Sequence, residues 1–167
     1  MTYLLSVNLP KSCYGGAEEM EHFRKLENVY RVAPINQIYK PELEISEGAA
    51  ELRMVLTPTF HHSAGATHGS VYFKALDDAT FFAANSLVEE YFMLTAKFEL
   101  TFIRPVVSGQ IVARARVTKR DEKRIYAEGE LFTDSSEILA KGSGSFAVSP
   151  VPLTPAVGYT LETETWL

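Results

Sequence analysis

Apolar positions fall into three rhythms along this chain, and each rhythm predicts its own kind of element. Between Ala17 and Tyr30 the residues Met20, Phe23, Leu26, Val29 and Tyr30 recur every three or four positions with acids and bases between them. That spacing predicts an amphipathic helix, preceded by Gly15-Gly16 and followed by Pro34. A second rhythm is alternation. ELEISEGAAELRMVL reads as two paired strands, Leu43 to Ile45 and Ala49 to Leu56, separated around Gly48. After the middle of the chain, Phe92 to Ile103 is strand-like with Pro105 as its stop. Gln110 to Thr118, Arg124 to Phe132 and Ile138 to Val148 follow at hairpin spacing, with turns at Asp121-Glu122 and Asp134-Ser135-Ser136.

The third rhythm is the absence of a polar face. From Gly69 to Val88 the only charged residues are Lys74, Asp77 and Asp78, while Val71, Tyr72, Phe73, Ala75, Leu76, Phe81, Phe82 and Leu87 cover every side of a helical wheel. Such a helix is expected to be buried. An unpartnered carboxylate costs several kcal/mol in such surroundings, so Asp77 or Asp78 is the first candidate for chemistry. The order is helix, two strands, buried helix, then long strands joined by short turns. It predicts an α+β fold in which an antiparallel sheet wraps around one long central helix, with an extra N-terminal helix. Residues 1–40 read as a helical extension, 41–149 as the domain proper and 150–167 as a tail on the surface or along an edge.

Composition narrows the picture. With 167 residues, 46% apolar and 22% charged, the chain suits one domain with a full core and excludes disordered, collagen-like and disulfide-framework classes. A net charge of -5 argues against a nucleic-acid partner. One cysteine, Cys13, cannot make an internal disulfide or a cysteine metal cluster and is read as inert. The N-terminus is a poor secretory signal, and no window approaches roughly 18 uninterrupted apolar residues. A cytoplasmic protein without a membrane span is the expectation.

HGSVYFKALDDATFFAANS from His68, the FIRP of Phe102 to Pro105 and the strand after Ser108-Gly109 resemble the hotdog-fold acyl-CoA thioesterases of the PaaI-like and 4-hydroxybenzoyl-CoA thioesterase superfamily. The similarity covers roughly Leu43 to Ser149. The resemblance implies a loop glycine at Gly65, the His-Gly pair at His68-Gly69 and a catalytic acid at Asp77, nine positions after the His. It also implies a polar site residue at Thr95, ten before the Pro of the RP corner. Two positions depart from the family: His62 stands where an Asn is usual, and Ser70 replaces the second glycine of HGG. A neutral His can still donate one hydrogen bond, from a bulkier ring.

Thioester hydrolysis needs a group that activates a nucleophile and donors aimed at the carbonyl oxygen as it becomes anionic. The Gly69 N-H at a helix N-terminus suits the second task. Gly69 and Asp77 are eight residues apart, roughly 12 Å along a helix axis, so a single carbonyl cannot touch both from one chain. The expectation is a homodimer, or a dimer of dimers, in which Asp77 of one subunit faces Gly69 of the other. Adjacent helical positions point about 100° apart, so only one Asp faces a given pocket; family register favours Asp77, leaving Asp78 to pair with Lys74.

Other residues are weighed against plainer roles. His61, His62 and His68 show no third-ligand spacing, so no metal is expected. Asn85 and Ser86 read as caps or interhelix contacts, and GSGS at Gly142 to Ser145 lies inside a strand pattern, unlike a phosphate loop. Arg114, Arg116, Lys119, Arg120, Lys123 and Arg124 crowd one hairpin and read either as a solvated turn or, for Lys119, Arg120 and Arg124 with Arg104, as partners of coenzyme A phosphates. The expected activity is hydrolysis of an acyl-CoA or aryl-CoA to acid and free coenzyme A, by Asp77 as general base or nucleophile with Gly69, His68, His62 and Thr95 around it. Coenzyme A enters as substrate, with no separate cofactor. The rival readings are a non-catalytic acyl-CoA-binding protein and a hotdog hydratase or dehydratase.

Overall fold

The structure, a computed structural model, describes residues 15–161; Cys13 lies outside them. Helix α1 (Gly15–Val32) and a single turn α2 (Asn36–Tyr39) lead into strands β1 (Glu42–Ser46) and β2 (Ala49–Val55). The central helix α3 (Gly69–Asn85) follows, then strands β3 (Tyr91–Phe102), β4 (Gln110–Arg120), β5 (Ile125–Thr133) and β6 (Ile138–Pro152). All pairings are antiparallel and the sheet order is β1-β2-β4-β5-β6-β3. This is the expected α+β hotdog arrangement. Strands and long helices match the sequence reading to within a few residues; α2 and the short 3-10 turns Pro58–Phe60 and Pro155–Val157 are the helical turns that no periodicity announced.

Local chemistry explains the turns. Gly48 closes the β1–β2 hairpin at φ 66°, a left-handed conformation that glycine adopts freely. At the β4–β5 turn, Asp121 Oδ1 accepts from the backbone N-H of Lys123 and Arg124 at 3.0 and 2.9 Å, an Asx-type turn. Asn85 ends α3 by donating to the Val88 and Tyr91 carbonyls and accepting from Met93 N-H, and Ser86 Oγ accepts from Gly48 N-H. Both act as the contacts expected of them.

Helix α3 lies in the hollow of the sheet, and its depth is set by glycines. A Cβ on Gly129 would sit 3.2 Å from Leu76 Cδ2, Thr80 Cγ2 and the Arg114 carbonyl oxygen, and one on its cross-strand partner Gly142 would meet the Phe98 ring at 2.6 Å. Leu76, Ala79 and Thr80 are fully buried there. The adjoining flank of α3 is less enclosed than an all-round apolar helix implies: Phe73 is 43% exposed and Asp77 half-buried. The sheet covers one side of the helix and α1 another, and this flank, which meets only the edge strand β3, is partly enclosed.

Helix α1 is integral to the domain. Phe23, Leu26 and Tyr30 join the core cluster that contains α3 and the sheet. Beyond β6 the chain turns back onto α1: the Gly158 carbonyl accepts from Asn28 Nδ2 at 2.8 Å, and the Tyr159 hydroxyl meets His22 Nδ1 at 2.7 Å. His22 Nε2 lies 3.3 Å from the Asn85 carbonyl, so the two ends of the described chain meet at the end of α3. Burial pushes the His22 pKa down, against the pull of the Asn85 carbonyl.

Gly129→Val would force the helix off the sheet. Chemical denaturation is expected to show a loss of about 1–3 kcal/mol or more, as overpacking of a filled core costs.

Candidate active site

One face of α3 carries Phe73, Asp77 and Phe81 at four-residue spacing, and all three address β3. Phe73 stacks edge-on against Phe98 at 5.2 Å between ring centroids, and Phe81 meets Phe92 at 5.0 Å. Between the two aromatic pairs Thr95 Oγ1 donates to Asp77 Oδ1 at 3.1 Å. A register shift in the β3–β6 ladder between Thr95 and Lys97 marks a bulge beside this contact, a device that re-aims a side chain. Desolvation raises the Asp77 pKa to about 6; the Thr95 hydrogen bond and Lys74 pull it down, and the neighbouring Asp78 charge adds to the rise.

Asp78 has the opposite surroundings. Its carboxylate pairs with Lys74, as expected, and also accepts from the Tyr30 hydroxyl at 2.7 Å. Lys74 Nζ lies 5.4 Å from the ring centroids of both Tyr30 and Tyr39. Burial and the Asp78 charge push the Tyr30 hydroxyl strongly upward, so it remains a donor. One carboxylate is thus consumed in holding α1 onto α3, and its neighbour is left with a single neutral donor. Tyr30, Phe92 and Phe98 are the residues that sequence reasoning missed at this site. Phe98 sits at alternating spacing in a strand pattern, but nothing local marks Tyr30, which reaches Asp78 from 48 positions away.

The other expected residues gather at the N-terminus of α3. His68 is its N-cap, and Nδ1 accepts from Ser70 N-H at 3.1 Å while lying 2.8 Å from Ser70 Oγ. An accepting Nδ1 places the ring proton on Nε2. Gly69 N-H finds no acceptor among the described residues, and a Cβ on Gly69 would stand 3.0 Å from the Phe102 ring. The preceding loop is tied down by Thr67 N-H to Val106 O at 2.9 Å, His68 N-H to Phe60 O at 2.8 Å and His61 Nε2 to Val107 O at 2.7 Å. Gly65 takes φ 85° in a turn closed by its N-H on the His62 carbonyl. His62 is exposed, and its Nδ1 accepts from Ala64 N-H at 3.1 Å.

Asp77 and Thr95 therefore meet, and His68 and Gly69 adjoin each other at the far end of the helix. Within one chain no contact joins the two groups among the described residues. The four basic candidates also divide. Arg104 pairs with Glu137 beside the first turn of α3, where its carbonyl accepts from Tyr72. Lys119, 3.9 Å from Asp121, Arg120, which donates to Leu87 O at 3.3 Å, and Arg124 cluster at the opposite end. Arg124 Nη1 is buried with no partner among the described residues. Helix α3 spans 17 residues, or roughly 24 Å at its rise per residue, so a single chain does not hold these cations as one patch. No cluster of three or more metal-ligating side chains occurs among the described residues.

Comparison with known proteins places this geometry. A family model described as the thioesterase superfamily matches residues 64–140, the stretch that carries Gly65, His68, Gly69, Asp77, Thr95 and Arg104. A Sulfurisphaera tokodaii protein that bears an esterase name is 28% identical over 102 residues, 60% of this chain and 75% of the relative. The fold superposes on the E. coli PaaI protein from the phenylacetic acid degradation operon with a TM-score of 0.74 at 17% identity, over 81% of this chain and 99% of that one. A thioesterase family protein from Silicibacter pomeroyi gives 0.70 at 22% identity, over 76% and 97% of the two chains. At those identities the structures speak for the fold, and the sequence matches support a thioester hydrolase in general. The chain is thus similar to the thioesterase superfamily through the core that bears its carboxylate, and its fold is the hotdog fold of PaaI and its relatives.

Proposed function

We propose that this chain hydrolyses an acyl-CoA thioester to a carboxylic acid and free coenzyme A, at a site completed by a second copy of itself. The observation that carries the reading is the Asp77 carboxyl, drawn partly out of water between two aromatic pairs, hydrogen-bonded by Thr95 and lifted to about 6. A carboxylate with that pKa is ionised at neutral pH yet basic enough to take a proton from water. Water adds to the thioester carbonyl as Asp77 accepts its proton. The C-S bond then breaks, the thiolate leaves and takes up a proton, and the acid is released. Direct attack by Asp77 through a mixed anhydride gives the same products.

The oxyanion needs a donor that this carboxylate's own chain cannot bring near. Gly69 N-H, at the positive end of α3, is the fitting group, with the His68 Nε2-H beside it. A second copy supplies both if two α3 helices run antiparallel. The edge of β3 supports such a pairing: it is twelve residues long, bonded only to β6, and carries exposed Leu94 and Phe102. His62 would shape the thiol side from its loop. Across such a dimer Arg104 of one copy and Lys119, Arg120 and Arg124 of either become candidates for the coenzyme A phosphates, and pairing of dimers remains open to the exposed sheet. The reaction calls for no cofactor or metal beyond its substrate. Among the described residues no helix is long and apolar enough to cross a membrane; action in the cytoplasm is part of the proposal.

Thiol release from a panel of acyl-CoAs tests the reading: turnover is expected, and binding without release would point to a sensor. Asp77→Asn should lower kcat by about 10²–10⁴. In the native protein kcat/KM should rise with pH through about 6, because the base must be ionised. Thr95→Val removes a donor that favours the anion, so the ascending limb should move to higher pH.

Stability should move the other way. The folded protein holds the Asp77 proton more tightly than the unfolded chain, so this group's contribution is intact below its ordinary value of 3.8 and is lost as pH rises to about 6. Asp77→Asn should therefore raise the melting temperature at pH 7 relative to the native protein and lose that advantage as pH falls below 3.8, as read by thermal unfolding.

A further inference from the structure

Helix α1 and strand β3 flank α3 on either side of its open face, and both run antiparallel to it. Along α1, His22 stands at Asn85 and Tyr30 at Asp78 and Phe82. Along β3, Met93 N-H meets Asn85, Phe92 meets Phe81, Thr95 meets Asp77 and Phe98 meets Phe73. A groove of about 680 Å³ lies between them at the level of Phe81, closed on its far side by the chain that returns after β6. Val29 and Val32 form one wall, Phe92 and Leu94 the other, with Ala156 and Val157 across the end. No charged side chain lines it, and the Asn28 amide at its edge is already spent on the Gly158 carbonyl.

From this we infer that the groove holds the aliphatic acyl chain of the thioester, so that α1 and the returning tail choose a medium-length saturated acyl group. The inference rests on the hydrolase reading of Asp77. Continuity carries it: Phe92, in the groove wall, packs on Phe81, one helical turn beyond Asp77. An acyl carbonyl held at Asp77 and Thr95 points its chain past Phe81 and Phe92 into this space. The volume falls within the range of small-molecule sites, and the lining is mainly aliphatic and aromatic, with Asn28 and Thr160 its polar side chains and both already partnered. The walls come largely from α1 and the tail, outside the stretch that matches the thioesterase superfamily. Chain preference is thereby set by parts of the chain outside that match.

The test compares acetyl-CoA, octanoyl-CoA and decanoyl-CoA on the full chain and on Ala156→Trp, which fills the groove from an exposed position. The octanoyl-to-acetyl ratio of kcat/KM should fall by at least roughly tenfold, the worth of one or more methylene contacts. Val151→Gln, at a 43% exposed residue of the same lining, makes the same point if the tryptophan variant does not fold. Decanoate alone, titrated against the methyl signals of Val29, Val32, Val151 and Val157, should shift them in the native protein and not in the variant. An unaltered chain-length profile, decanoate shifts confined to other residues, or methyl signals that respond to protein dilution instead of decanoate, because a second copy covers the groove, would each overturn the inference. If no thioester of the panel is cleaved while decanoate still moves those methyls, the hydrolase reading has failed and the groove stands as a binding site.

Discussion

Everything in this fold turns on bringing a carboxylate halfway out of water without neutralising it. Two adjacent acids on α3 face different neighbours because successive helical positions diverge by about 100°. Asp78 receives Lys74 and the Tyr30 hydroxyl and becomes a structural clasp, while Asp77 receives only Thr95 and two flanking pairs of aromatic rings. The asymmetry is made by packing. Glycines in β5 and β6 let α3 sink into the sheet on one side, and the side left over opens toward an edge strand where a reacting group can reach it.

A helix that presents its N-terminus at one end and its acid two turns on divides the work of acyl transfer between distant points. The Gly69 amide and the Asp77 carboxylate are both ready-made, the first by helix geometry and the second by desolvation, yet one chain cannot aim them at the same atom. Under the proposed function, self-association would be part of the chemistry, and the edge of β3 is the surface on which it would be built.

Much of this was legible in the residues. The alternation around Gly48, the turn acids Asp121 and Asp134 and the all-apolar run after Gly69 foretold the strands and central helix, because each is a local signal of period or turn chemistry. Motif spacing singled out Asp77, Thr95, His68 and Gly69 as candidates, and the structure brings the first two into contact. What could not be read was long-range partnership. Tyr30 looks like one more apolar position of an amphipathic helix until α1 is laid on α3, and the basic residues look like one cluster in sequence until the sheet puts Arg104 at the other end from the hairpin. The helix reads as buried all round because a hydropathy pattern does not reveal that one flank adjoins an edge.

The meeting of His22, Tyr159 and the Asn85 carbonyl has a practical bearing on handling the molecule. It acts as a buckle: the strap from one terminus is fastened by a group on the other, and both are riveted to the far tip of the core helix. Shortening the strap at either side would release the other, so trimming this polypeptide down to the stretch that matches the thioesterase superfamily would bare the core residues that Phe23 and Leu26 cover and discard a wall of the cleft along with the ornament.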